Sequence, residues 1–199
     1  MSPDLSTFDN SWYQAGRSTV TQALWFFLGL PVLRSSVLPS SRVRVILLRI
    51  FGARIGDSVV IKPCVRVKYP WLLSLGDRSW IGEEVWIDNL AKVTIGDDVC
   101  ISQGAYLCTG NHDWSDSAFG LIAEPIVLAN GSWVGARSMI CPGVTVYECG
   151  IAAAGSVVAK DIPAFEIHSG NPAAFVRNRI FNSPGKNSVA QSTVVCAAS

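Results

Sequence analysis

Histidine is the side chain whose ordinary titration falls near neutrality, and this 199-residue sequence has two. His112 lies in CTGNHDWSDSAFGLIAEP, and His168 lies in EIHSGNPAAFVR. A sugar hydroxyl or similar alcohol is a poor nucleophile, and an imidazole can take its proton as it attacks a carbonyl. Isolated histidines are often structural, and His168 is read that way. His112 stands apart because it sits at the root of an interruption in an otherwise regular repeat. A carboxylate and an amide, Asp88 and Asn89, occupy a turn that is two residues longer than its counterparts. Both are good turn formers, and both are candidates for hydrogen-bonding a polar ligand. The six cysteines form no CxxC pair and no metal-ligand spacing, so no metal is expected. Neither a GxxxxGK[ST] loop nor a GxGxxG turn is present, which leaves nucleoside triphosphate and dinucleotide sites unsupported.

The elements that must position these residues follow from one periodicity. An aliphatic residue returns every six positions at Ile55, Ile61 and Val67, then Leu75, Ile81 and Ile87, then Ile95, Ile101 and Leu107. Between these sets the step is eight, giving a 20-residue period with two extra residues at one corner. After a gap the pattern resumes without insertion at Leu128, Val134, Ile140, Val146, Ala152 and Val158. Glycine often follows the aliphatic residue, and a small or β-branched residue often stands four positions after it. A helix would repeat at 3.6 and a surface strand at two, so neither fits. Six residues make one short strand and one corner, and three such units close a triangular coil with the aliphatic side chains stacked inside. About five coils fill 55–163. By alternation, Trp80, Trp86, Tyr106 and Trp133 point outward, where something should cover them.

These aliphatic–Gly–x–x–small–x hexads resemble the hexapeptide-repeat acyltransferases, whose coils are left-handed. The resemblance implies a mainly β chain, a left-handed parallel β-helix with N-terminal helices and an ejected catalytic loop. LPSSRVRVILLRIFGARIGDSVVIKP and WIDNLAKVTIGDDVCISQGAYLCTGNHDWS look like the acetyltransferases of colanic acid and other exopolysaccharide biosynthesis. GVTVYECGIAAAGSVVAKDIPAFEIHSGNPAAFVR follows the family's closing pattern. By that match His112 is the general base, and acetyl-CoA is the acetyl donor. Asp88 falls where related enzymes carry an acceptor-binding asparagine, with Asn89 beside it, and Asp88 is also placed to orient the histidine. Trp133 matches the tryptophan of a W-[IV]-G-A motif near the cofactor. Ala136 and Ala154 fall beside pantetheine, and Lys160 and Arg177 near its phosphates. Trp114 and Phe119 ride on the loop, where stacking on the acceptor and plain loop packing fit equally well. The implied assembly is a homotrimer with active sites between subunits, and the implied acceptor is a sugar or lipid-linked oligosaccharide. An N-acetyltransferase acting on an amino sugar fits the same motifs, and a non-catalytic β-helix scaffold is the non-enzyme alternative. A zinc hydratase on the same prism would need three histidine positions, and the chain has two histidines.

Composition frames the rest. Nearly half the residues are apolar, enough for a large core, and the net charge of +1 argues against nucleic acid as a partner. Yet Arg17, Arg34, Arg42, Arg44, Arg49 and Arg54 lie between Asp9 and Asp57 with no acid or lysine among them. That stretch carries +6 and the remainder −5 by difference, which suggests a membrane surface for residues 1–54, the alternative being helices that only cap the open end of the prism. The uncharged run Ser18 to Leu33 is too short to span a bilayer and reads as a buried or interfacial helix. A second helix is expected from Arg42 to Phe51, capped by Ser40 or Ser41 and stopped by Gly52. Residues 164–181 form a closing segment, the excursion occupies 109–126, and 182–199 reads as a disordered tail. Cysteines scattered through the repeat are read as small core fillers. With no cleavable signal in the sequence, the expected compartment is the cytoplasm, with a peripheral position at the inner face of the membrane.

Overall fold

Each inward aliphatic residue of the six-residue pattern lies in a strand of two or three residues, and these strands stack into three faces. The computed structural model describes residues 2, 4–38 and 40–182. The first face pairs Arg54–Ile55, Leu73–Leu75, Val93–Ile95, Ile126–Leu128 and Thr145–Val146, all parallel. The second pairs Val60–Ile61, Trp80–Ile81, Cys100–Ile101, Trp133–Val134 and Ile151–Ala152. The third pairs Arg66–Val67, Trp86–Asp88, Tyr106–Cys108, Met139–Ile140 and Val157–Val158. Registers such as Ile61↔Ile81 and Val134↔Ala152 put equivalent hexad positions directly above one another. The inward residues from Ile61 to Val158 are fully buried, whereas Ile55, at the open end, is half-buried.

Five complete coils are therefore present, and the chain begins a sixth. Ile162 bridges Val146, and the strand Glu166–Gly170 pairs with Ile151–Ala152 before turning back as Ala173–Asn178. The closing segment thus continues the prism rather than lying beyond it. The tail beyond Asn182 lies outside the described residues.

The corners explain the sequence signals. Three residues after most inward aliphatics the backbone turns left-handed, as at Ser58, Cys64, Arg78, Glu84, Asp98 and Arg137. The glycines that directly follow the aliphatics serve another purpose. A Cβ at Gly82 would meet Gln103 N at 2.6 Å, and one at Gly135 would meet Ala154 N at 2.5 Å, so stacking of adjacent coils excludes a side chain there. Another corner carries an acidic ladder: Asp77 and Asp97 accept from the Asp57 and Asp77 amides, and Asn130 from Asp97.

Two helical segments cover the open end. α1 (Thr19–Leu24), capped by Ser18, runs through a π turn at Trp25–Gly29 into α2 (Leu30–Leu33). α3 (Ser41–Ile50) is capped by Ser40, and Gly52 adopts φ +95 after it. Trp25, Leu33, Val45 and Leu48 bury one side of the pair, and the Trp25 indole N–H donates to Val67 O at 3.1 Å. One arginine departs from the expectation of an outward basic string: Arg44 is fully buried and donates to the carbonyls of Ser35 and Leu38. The cysteines also depart from theirs. None of the described five is fully buried, and Cys100, which precedes inward Ile101, faces outward by strand alternation. Cys196 lies outside the described residues.

Candidate active site

The excursion after Cys108 is a hairpin. Gly110–His112 pairs antiparallel with Leu121–Ala123, with His112 opposite Leu121. It leaves from the corner between the third and first faces, where the two extra residues of the preceding coils also lie. Its root is fixed by Thr109, fully buried, whose hydroxyl donates to Asp88 O and accepts from Ala91 N, both at 3.0 Å.

His112 is held by the far arm of this hairpin. Its Nδ1 lies 2.9 Å from the Phe119 carbonyl oxygen. A carbonyl can only accept, so Nδ1 carries the proton and Nε2 keeps its lone pair. The Phe119 ring stacks on the imidazole at 4.5 Å and 11°. Phe119 sits at φ +54, and its own N–H donates to Asp116 O at 3.0 Å. The sequence leaves Phe119 open between an acceptor platform and loop packing, and its ring and carbonyl both pack on His112. The N-terminal arm adds a contribution the sequence did not announce: Phe8 lies 5.8 Å from the imidazole, the Asp4 amide donates to Ser117 O, and the Tyr13 hydroxyl donates to Leu90 O. Its one visible signal is an aromatic cluster, Phe8, Trp12 and Tyr13, in a polar stretch.

Asp88 closes the other side of the corner. Lys68 Nζ lies 3.0 Å from its Oδ1, and Tyr106 OH lies 3.2 Å from its Oδ2. The Asp88 carboxylate is thus engaged by Lys68 and Tyr106 and does not orient His112, because the Phe119 carbonyl already holds Nδ1. Burial first, then the neighbouring Cys108 and Asp88, push the Tyr106 phenol above its ordinary range, so it stays a donor. A cleft of about 170 Å³ opens beside Asp88, lined by Lys68, Trp86, Arg66, Arg34, Phe26 and Leu30. Trp86 stacks on Tyr106 at 4.6 Å along this face. Asn89 is not part of the cleft surface. It is fully buried, its Oδ1 accepts from Tyr69 N at 3.0 Å, and its Nδ2 donates to Tyr69 O at 2.7 Å. Trp114, at the hairpin tip, is 84% exposed.

The residues assigned to the cofactor divide among three places. Trp133, Ala136 and Ala154 gather at the edge joining the second and third faces, one face away from the hairpin corner. Trp133 is exposed and its indole N–H donates to Ser102 Oγ at 2.9 Å, bordering a cleft of about 290 Å³ lined by Trp80, Cys100 and Ser102. That cleft is larger than the one at Asp88, but His112 does not line it. Gly155 N–H donates to Ala136 O at 2.8 Å, stacking the two alanine corners closely. Lys160 follows Val158 at the hairpin's own corner, and Arg177 lies on the returning strand opposite Ile167. Both are exposed, and neither pairs with a carboxylate among the described residues. His168 bonds Glu166 at 2.8 Å within the closing strand, a structural use.

No protein-family model matches the chain. It is 39% identical over 177 residues to an Escherichia coli (strain K12) protein provisionally named colanic acid biosynthesis acetyltransferase WcaF, covering 89% of this chain and 97% of that one. It also superimposes on a hexapeptide-repeat acetyltransferase of Vibrio cholerae complexed with acetyl coenzyme A. There the TM-score is 0.73 at 25% identity, over 81% of this chain and 88% of the other. The chain belongs to the hexapeptide-repeat acetyltransferases. A galactoside acetyltransferase in complex with coenzyme A gives a TM-score of 0.70 at 26% identity, over 80% of each chain. Family membership supplies the left-handed sense of winding, which strand register alone does not distinguish.

Proposed function

We propose that the chain is an O-acetyltransferase that moves acetyl from acetyl-CoA to a sugar hydroxyl in exopolysaccharide synthesis. The observation that carries this reading is the pairing of His112 Nδ1 with the Phe119 carbonyl, which leaves Nε2 as a free proton acceptor on a fixed ring. Acetyl-CoA, when bound, supplies the activated thioester. Nε2 takes the acceptor hydroxyl's proton as that oxygen attacks the thioester carbonyl, then returns it to the departing sulfur. Asp88, held by Lys68 and Tyr106, presents a fixed hydrogen-bond acceptor to a sugar hydroxyl in the adjoining cleft. Trp114 reaches the acceptor from the hairpin tip.

The residues at the second face's edge fit the donor. Small side chains at Ala136 and Ala154 leave backbone exposed for the pantetheine arm, the Trp133 indole walls it, and Lys160 and Arg177 offer cations to phosphates. The separation of Trp133, Ala136 and Ala154 from the hairpin by a whole face supports a homotrimer in which a neighbouring copy completes each site. The sugar class rests on the resemblance to the colanic acid protein and the galactoside enzyme. The enzyme's place of work is read as the cytoplasmic side of the cell membrane, where a lipid-carried acceptor would lie.

The test uses the purified chain with acetyl-CoA and a panel of sugar acceptors, following release of free thiol. His112→Ala lowers turnover by about 10²–10⁴ while acetyl-CoA binding is kept. Native-like turnover by that variant sinks the assignment.

A further inference from the structure

The helices that cover the open end of the prism are apolar on both sides, although only one side is buried. In the run from α1 to α2, Trp25, Gly29 and Leu33 face the coils. Val20, Leu24, Phe27, Leu28 and Val32 form the opposite stripe, with Phe27 79% exposed. In α3 the same division puts Arg44, Val45 and Leu48 inside and Val43, Ile46 and Ile50 outside, with Ile50 73% exposed. A helix that caps a soluble prism ordinarily turns a polar stripe outward. Here the outward stripe is Val, Leu, Phe and Ile.

The charges around it are mainly cationic, with the carboxylate of Asp57 beside them, 3.7 Å from Arg49. Of the six arginines, Arg44 is buried, and Arg49 is bonded to the carbonyls of Ile55 and Gly56. Arg17, Arg34, Arg42 and Arg54 remain exposed and have no carboxylate partner among the described residues. Arg42 and Arg49 also line a cleft of about 420 Å³ with Ile46, Val59 and Asp57, at the border of the apolar stripe. Among the described residues no helix is long and apolar enough to cross a membrane.

We infer that this outer face of α1–α3 docks on an anionic bilayer surface, its apolar stripe in the acyl boundary and its arginines among the head groups. A second copy docked face to face would set the same arginines against one another, which disfavours that occupant. Arg34 and Phe26 also line the cleft beside Asp88, so docking on this face brings that cleft to the membrane. The inference deepens the proposed function by naming the surface through which the enzyme meets its membrane. It rests on that reading only for which leaflet is used.

The experiment is vesicle flotation of the full chain, which requires no acetyl transfer and so stands or falls apart from the activity. Vesicles of equal phosphatidylglycerol and phosphatidylcholine are compared with phosphatidylcholine alone, at low and high salt. The expected result is salt-sensitive binding to the anionic vesicles. Arg42→Gln with Arg54→Gln weakens it by roughly 25-fold, since each surface cation is worth about fivefold. Phe27→Ser with Leu28→Ser abolishes it without changing the thermal melt or the sedimentation coefficient. Failure of the native chain to float with anionic vesicles overturns the inference. So does unchanged flotation of Phe27→Ser with Leu28→Ser, or a change in their oligomeric state, which would mark the face as a subunit contact.

Discussion

Asn89→Ala separates a turn-holding amide from a substrate-binding one. The Asn89 side chain is fully buried and is bonded both ways to the Tyr69 backbone, at 3.0 and 2.7 Å. Truncation leaves the Tyr69 N–H without a partner at a cost of about 1–3 kcal/mol, whereas the Tyr69 carbonyl keeps its bond from the Leu72 amide. For a chain of this size each kcal/mol lowers Tm by about 2–4 °C. A fall of roughly 2–12 °C follows, read by circular dichroism at fixed protein concentration. Asn89→Asp keeps the acceptor for the Tyr69 amide but turns a carboxylate toward the Tyr69 carbonyl, so its loss is comparable and shrinks on acidification. Acceptor KM, measured well below the melt, stays near the native value for Asn89→Ala because the amide does not reach the cleft. A native-like melt together with a large rise in acceptor KM would refute this reasoning.

Other expectations concern the prism and its ionisable groups. Ile101→Asp puts an unpaired carboxylate at a position 1% exposed inside the prism, and should leave no soluble, cooperatively melting protein; a normal melt and sedimentation profile would contradict the register. Gly135→Ala forces a methyl to within 2.5 Å of Ala154 N, so the coils must part there. We expect a loss of about 1–3 kcal/mol in chemical denaturation, with weakened acetyl-CoA binding as a second readout. Burial raises the Tyr13 and Tyr106 phenols above the ordinary value of 10, whereas the unfolded chain ionises there. Their contribution is therefore full below the ordinary phenol value and lost as pH rises past it, so stability falls steadily from about pH 10 upward. Tyr13→Phe with Tyr106→Phe should reduce that fall, and an unchanged slope would show that these phenols are not its source.

The sequence by itself determined the prism. A six-residue return of aliphatic side chains admits one economical arrangement, because only a three-sided coil brings positions such as Ile61, Ile81 and Ile101 above one another. It also marked where the coil breaks, and therefore His112. What it could not determine was how side chains far apart in the chain share their hydrogen bonds. Asp88 and Asn89 are adjacent and chemically alike, yet strand alternation turns one toward the cleft and the other into the corner, where Tyr69 takes its amide. Phe119 reads as an exposed loop aromatic until the hairpin folds back and aims its carbonyl at Nδ1. Arg44 reads like its neighbouring arginines, but helical geometry carries it inside with Val45 and Leu48. Repeat spacing is a local property that the chain states directly. Partnership across the hairpin, the corner and the helical cap depends on which groups the closed coil brings within hydrogen-bond reach, and only the tertiary structure decides that.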